Sequence, residues 1–493
     1  MTSGLVPSGG EARPAHGVLH VIHGHGGGTE HHARALIDAS RGRYRHHLAI
    51  AVGERWQLEA HQEDGSARVF DFDREAGESW PAFVAGLCAT FGIDVLHLHN
   101  ISGCRDGIFE ALAALDVPFG YTIHDFSFAC PTILFLGVDG MYCGAQTDAG
   151  FCARCLAAQP PFAAVDIVAW RARHRALLAR AAFLVAPSRW AAQALAKYYP
   201  DRPIDIIAHG APGAWAMASE GTEDDDARTT APEHPALLTL PEDDIPTVAV
   251  LGAVGPDKGA RRLERLADLV RSTGALVRFV LIGYMDVQHG PWQSDDAVLT
   301  VHGRYDPREL PALFARYRVR LVAYPSAGPE TFSFTLSEAW SAGCPVIVPP
   351  FGALAERLGS IGAGWAWTQD EWRDETRMLG RIVAVVSPEN VGALAAASEL
   401  ARDIAQPTLE DMASRTLAHY DAAVAATPGA EHPAHPFEWA RVRAAEACGG
   451  MPVPEQSERR HASGGGQKTS RWSRVMRRLF PWQRRDEMAE RES

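Results

Sequence analysis

Cysteine is scarce, with eight residues in 493. That excludes a small secreted domain stapled by disulfides. Nothing approaches the run of about 18 uninterrupted apolar residues that a membrane-spanning helix needs. The opening residues 1–16 are rich in Gly and Pro and lack an apolar stretch, so they read as a disordered N-terminus and not as a signal peptide. Positive charge is in the minority: 47 Lys and Arg face 60 Asp and Glu, for a formal charge of −13. A uniformly basic nucleic-acid binder is excluded, and no nucleic acid is expected as a partner. What remains is 46% hydrophobic and 22% charged, the profile of a globular protein. The length accommodates two domains and a tail. With thiols kept reduced, the expected compartment is the cytoplasm.

Along the chain, short apolar runs alternate with helical patterns. Val18–Ile22 reads as a strand. It meets the glycine cluster His23-Gly24-His25-Gly26-Gly27-Gly28, and a helix with Ala33, Leu36 and Ile37 on one face follows. Strand, glycine turn, helix opens a Rossmann-like unit. Further strands are read at 48–52, 69–72, 95–99, 119–123, 183–186 and 204–207, with a helix at 80–90. The rhythm restarts at Thr247–Leu251 with a second glycine turn, Gly252 to Gly259, and continues with strands at 277–282, 298–301, 319–323 and 345–348. The fold class is therefore α/β, with parallel sheets covered on both faces. The expected domains are 17–212, an acidic linker at 213–246, a second Rossmann-like domain at 247–427, and a flexible tail at 428–493. Within the tail, 468–485 is basic and amphipathic, with Trp472, Val475, Met476, Leu479 and Phe480 at helical spacing. Such a helix would lie on an anionic membrane surface as a peripheral contact at the inner face of the cell membrane.

Four of the eight cysteines fall in one loop, Cys130, Cys143, Cys152 and Cys155, spaced C-x12-C-x8-C-x2-C. The closing C-x2-C can place two thiolates on one tetrahedral ion, so structural zinc is the first reading. Reduced thiols and disulfides are the alternatives.

The most specific motif is Pro329-Glu330-Thr331-Phe332-Ser333-Phe334-Thr335-Leu336-Ser337-Glu338, followed by Ala342-Gly343-Cys344-Pro345-Val346. Amides at a helix start can hold a diphosphate, and each carboxylate can accept two hydrogen bonds from sugar hydroxyls. This segment resembles the E-x7-E signature of retaining GT-B glycosyltransferases, family 4 in particular. The resemblance extends over nearly all of 17–427. It implies two Rossmann-like, doubly wound domains facing across a cleft, with Glu330 on the donor sugar and Glu338 on the nucleotide ribose. Thr331 and Ser333 stand where the family has Gly; with Phe332 they complete the donor-binding loop.

Gly252-Ala253-Val254-Gly255-Pro256-Asp257-Lys258-Gly259 resembles the family's G-R-L-x-x-x-K-G loop, with Lys258 as the cation on the leaving diphosphate. Ala253 replaces the usual Arg, and Arg261, Arg262 or Arg304 (in Gly303-Arg304-Tyr305) are the candidate substitutes. Gly27 and Gly28 resemble the family's loop beside the transferred sugar. No clean G-x-G-x-x-G is present, which argues against a nicotinamide site. His124-Asp125 ends the strand 119–123; the resemblance places His124 near the reaction centre and Asp125 beside it, orienting it or acting on the acceptor. Ser188-Arg189, His209-Gly210 and Glu356 are weaker candidates.

The resemblance implies a retaining glycosyltransferase that takes a nucleotide-diphosphate sugar as co-substrate and needs no catalytic metal. Its acceptor would be a glycan or a lipid-linked glycan, as in the assembly of bacterial surface polysaccharide such as lipopolysaccharide. The alternatives are a GT-B sugar-nucleotide epimerase and a non-catalytic GT-B scaffold.

Overall fold

The computed structural model describes residues 16–211, 238–285, 288–359, 361–427 and 436–448. The amphipathic segment 468–485 and residues 213–237 of the acidic linker lie outside the described residues. Among the described residues, no helix is long and apolar enough to cross a membrane.

The first sheet has eight strands: β1 Gly17–His23, β2 Arg45–Val52, β3 Arg55–His61, β4 Ala67–Asp73, β5 Val95–Leu98, β6 Phe119–Thr122, β7 Phe183–Ala186 and β8 Asp205–Ile206. Their order is β4-β3-β2-β1-β5-β6-β7-β8. β1 pairs in parallel with β2 and β5. β3 departs from the all-parallel expectation: β2–β3 and β3–β4 are antiparallel hairpins. The second sheet has seven strands: β9 Thr247–Val254, β10 Arg278–Met285, β11 Trp292–Gln293, β12 Leu299–Gly303, β13 Val319–Ala323, β14 Val346–Val348 and β15 Gly364–Ala366. Its order is β11-β12-β10-β9-β13-β14-β15, parallel except for β11.

Alternate residues of the second sheet enter two apolar layers. Val248, Val250, Phe279 and Leu281 pack in one, and Ala249, Leu251, Val280 and Ile282 in the other. A parallel sheet needs both faces covered, and this one has them.

The described residues form two compact units. One holds 16–122, 176–184 and the segments after 410; the other holds 123–175 and 185–409. Within the first unit the helix Leu409–Ala425 returns to the sheet. The Tyr420 hydroxyl meets His97 Nδ1 at 2.5 Å, and the Tyr44 hydroxyl donates to Asp421 at 2.5 Å.

That unit also buries a chain of histidines. The Ser40 hydroxyl donates to Leu36 O at 2.5 Å, so its oxygen accepts from His46 Nε2 at 3.1 Å. His46 Nδ1 then accepts from His20 Nε2 at 3.1 Å, and His20 Nδ1 from His99 Nε2 at 3.0 Å. Each neutral imidazole donates once and accepts once, so one hydroxyl orients the row.

Candidate functional site

Lys258, Glu330 and Glu338 come together in the second unit, past the carboxyl ends of β9 and β13, where parallel sheets bind ligands. The turn after β9 carries Lys258. Gly252 takes φ +92° and Gly259 φ +93°, and a Cβ on Gly259 would stand 2.2 Å from Pro325 O. Only glycine lets the turn close against that backbone. Lys258 Nζ lies 3.6 Å from Glu330 Oε1. The Glu330 carboxylate raises the ammonium above its ordinary pKa, so Lys258 stays charged.

Glu338, in the helix Phe334–Ser341, is 9% exposed. Burial pushes its carboxyl up to about 6, opposed by a hydrogen bond from the Tyr305 hydroxyl and by the charge of Lys258. The Tyr305 bond to Glu338 Oε2 measures 2.5 Å. Arg304, next to Tyr305, lies 5.1 Å above the Tyr284 ring.

The loop carrying Glu330 is clamped by Arg357. Its Nη1 donates to Phe332 O at 3.2 Å and Ser333 O at 2.8 Å, and its Nη2 to Ser337 Oγ at 2.7 Å and Gln406 Oε1 at 3.2 Å. The guanidinium also lies 4.2 Å from the Phe332 ring centroid. Ser333 sits at φ +71°, the backbone conformation that glycine adopts without strain. The position thus keeps a glycine-like backbone while carrying a hydroxyl, which lies 3.1 Å from Thr335 Oγ1.

With this geometry in place, residues 26–212 match the family model Glycosyltransferase Family 4, and residues 245–398 match Glycosyl transferases group 1. The chain carries the two domains of a glycosyltransferase. Solved structures share its fold. HepE of Anabaena, in complex with UDP, aligns with TM-score 0.51 and 14% identity over 82% of this chain and 100% of that one. Sucrose-phosphate synthase from Thermosynechococcus elongatus gives 0.55 and 15% over 83% and 100%. The catalytic domain of starch synthase IV from Arabidopsis thaliana, bound to ADP and acarbose, gives 0.52 and 14% over 83% and 99%. At these identities the likeness carries the fold, which is GT-B with two Rossmann-like domains. No curated protein matches.

Several glycosyltransferase motif residues have their side chains committed. Thr331 donates its hydroxyl to His124 O at 3.0 Å, a bond within the second unit. Phe332 is buried under Arg357, so neither Thr331 nor Phe332 offers its side-chain tip to a ligand. His124 stacks on His209 at 5.0 Å, and His209 stacks in turn on Phe334 at 5.4 Å. Asp125 Oδ1 accepts from Ser127 N at 2.8 Å, closing a turn. Arg262 is not a substitute for the missing loop arginine: it is 2% exposed, and it bonds to Glu375 at 3.2 Å and to Trp372 O.

Ser188 Oγ caps the helix Arg189–Ala196 through Ala191 N at 3.1 Å. Glu356 joins it, accepting from Arg189 N at 3.1 Å and from Trp190 N. That helix start is therefore filled by a carboxylate of the protein itself. In the first unit, Gly27 at φ +78° caps the helix Gly28–Ala39, and both glycines are exposed.

The cysteine loop packs on the second sheet's unit through Tyr142, whose N–H donates to Ala327 O at 2.9 Å and whose ring meets Phe351 at 4.5 Å. Three of its sulfurs have separate polar partners: Cys130 with Thr132 at 3.2 Å, Cys152 with Arg171 at 3.2 Å, and Cys155 with Gln159 at 3.2 Å. The sets of three ligand atoms within 4.8 Å of one another, among the described residues, do not include these cysteines. A thiolate set suits zinc chemically, while the spacing between these sulfurs does not.

Tyr305, bonded to Glu338, and Arg357, bonded to the Glu330 loop, are the members of this cluster that the motifs do not name. Tyr305 was visible only as the neighbour of Arg304, and Arg357 only as the neighbour of Glu356.

Proposed function

We propose that this glycosyltransferase moves a sugar, with retention of configuration, from a nucleoside diphosphate sugar to a glycan or lipid-linked acceptor in surface-polysaccharide assembly. The observation that carries the reading is Lys258 held beside Glu330 while its charge also acts on Glu338. One cation for a diphosphate stands between two carboxylates for hydroxyls. The nucleotides named for HepE and for starch synthase IV support the donor class.

In this reading the bond between the anomeric carbon and the phosphate oxygen breaks, and the electron pair leaves with the nucleoside diphosphate. Lys258 stabilises the negative charge that develops there. Glu330 holds hydroxyls of the departing sugar, and Glu338 accepts from the ribose. The acceptor oxygen bonds to the same face of the sugar. Its proton passes to an oxygen of the leaving diphosphate, so His124 lies near the centre without serving as the base.

Thermal shifts with UDP, GDP, ADP and their sugars, on wild type and Glu338→Ala, test this. One base should raise the melting temperature of wild type and leave the variant unmoved. No shift with any nucleotide, from folded protein, would move the reading to a non-catalytic scaffold. A structural zinc on the four loop cysteines is a separate proposal. It requires the sulfurs to draw together, and metal analysis of the purified chain decides it: one zinc per chain supports it and none ends it.

A further inference from the structure

We propose that a concavity at the amino-terminal edge of the second sheet binds a phosphate-bearing small molecule. Its volume is about 540 Å³, in the range of small-molecule sites. It is lined where β13 begins and β14 is about to begin, by Arg318, Arg320 and Pro345, and by the helix Val391–Arg402. Glu330 follows the other end of β13, so this site and the donor site occupy opposite edges of one parallel sheet.

The lining holds three arginines, Arg318, Arg320 and Arg402, and no Asp or Glu. The whole chain carries a formal charge of −13, which makes an all-cationic lining conspicuous. Elsewhere in the same unit, Arg262, Arg271, Arg278 and Arg308 each face a carboxylate within 3.2 Å. The guanidiniums of Arg320 and Arg402, by contrast, have no hydrogen-bond or ion-pair partner among the described residues.

Arg318 is held at the rim, donating to Asp243 O at 2.7 Å and to Pro241 O. It follows the helix Leu310–Arg316 at φ +53°, where glycine is the residue without steric cost. Gly343, at φ +70°, makes room for the second guanidinium: a Cβ there would stand 2.7 Å from Arg402 Nε. Ser398 adds a hydroxyl. Planar guanidinium forks match the oxygens of a phosphate. The apolar wall, with Val391 53% exposed, suits the body of an ester more than a bare ion.

Isothermal titration at constant ionic strength, with chloride as the exchanged anion, tests the site. The probes are inorganic phosphate, a hexose 6-phosphate and the unphosphorylated hexose. Wild type and Lys258→Ala should both bind the phosphorylated probes in the millimolar range, and R320A/R402A should bind them about tenfold more weakly. Tighter binding of the ester than of inorganic phosphate would assign the site to esters; equal binding would assign it to the free anion. Loss in Lys258→Ala alone would place the phosphate in the donor site and overturn the proposal. Equal affinity in R320A/R402A and wild type would overturn it too, as would no heat up to about 20 mM. Should the double variant melt early, Arg320→Glu, at an exposed strand start, carries the same reading. The test is independent of the donor assignment, because nucleotide binding is not its readout.

Discussion

The Tyr305 hydroxyl reaches across 2.5 Å to Glu338 Oε2, from the loop after β12 to the helix that follows the Glu330 loop. Burial holds the Glu338 carboxyl near pH 6, and this bond, with the charge of Lys258, restrains it from rising further. In the proposed role Glu338 accepts from ribose hydroxyls, and its ionised form accepts most strongly. Nucleotide affinity should therefore fall as pH drops through about 6 in wild type. In Tyr305→Phe the fall should begin at higher pH, with affinity at neutral pH reduced about three- to tenfold. Dissociation constants measured from pH 5 to 8 check this, and superimposable profiles for the two proteins would refute it.

In the proposed reaction Lys258 and Glu330 carry different parts of the chemistry. Removing a cation that acts on developing charge costs about a hundredfold or more in kcat. Lys258→Met should lose that much turnover in a glycosyl-transfer assay while the donor still binds. Glu330→Gln removes the partner 3.6 Å away and should lower kcat with nucleotide binding nearly intact, because its target is the sugar. A Glu330→Gln enzyme at full turnover would remove this residue from the reaction.

Much of the fold was legible because strands of a doubly buried parallel sheet read as short apolar runs. β3 was not. Gln57 and Glu59 interrupt its apolar pattern, and each is satisfied by a partner that sequence does not display: Gln57 by Asp71 at 3.0 Å, and Glu59 by both Nη atoms of Arg34. The pairing of His97 with Tyr420, 323 positions apart, was equally silent. The E-x7-E and lysine-turn motifs name Lys258, Glu330 and Glu338, which the fold brings together in one unit. Motif reading could not show that Thr331 spends its hydroxyl on His124 O, since that bond spans 207 positions.

Arg357 holds two loop carbonyls and one hydroxyl with one guanidinium. Truncation to Ala leaves those acceptors without their charged donor and uncovers the Phe332 face. A loss of about 3 kcal/mol is expected, read by denaturant unfolding. Arg357→Lys keeps the charge but not the fork, and should recover less than half of it. Full recovery by lysine would mean that the fork geometry is irrelevant.

Ser333→Gly tests the strained loop directly. The backbone at φ +71° costs a side-chain-bearing residue about 1 kcal/mol that glycine does not pay. The hydroxyl contact to Thr335 and the greater chain entropy of glycine return part of that. A gain of about 0.5 kcal/mol is expected, with donor binding unchanged. A clear loss of stability would show that the hydroxyl matters more than the strain.

Acid should unfold the first unit before its carboxylates titrate. Burial holds His46 near pH 4 and His32 and His47 near pH 3, and it lowers His20 and His97 well below the ordinary 6.5. In the folded state these rings stay neutral; in the unfolded chain they take up protons as pH falls below 6.5. The unfolded state then binds more protons, so stability is full above pH 6.5 and declines from there toward about pH 4. Each such ring removes about 1.4 kcal/mol per pH unit within that window. Depressed carboxylates such as Glu59, held at about 2 beside Arg34, act only from their ordinary 4.5 downward, at the acid end of that window. Melting temperatures should drop steeply between pH 7 and 5 and be insensitive to pH between 7 and 8. His46→Gln keeps a donor and an acceptor for Ser40 and His20 while removing one titrating ring, and should flatten the slope. A melting temperature constant from pH 7 to 5 would mean that these rings are already protonated in the folded protein.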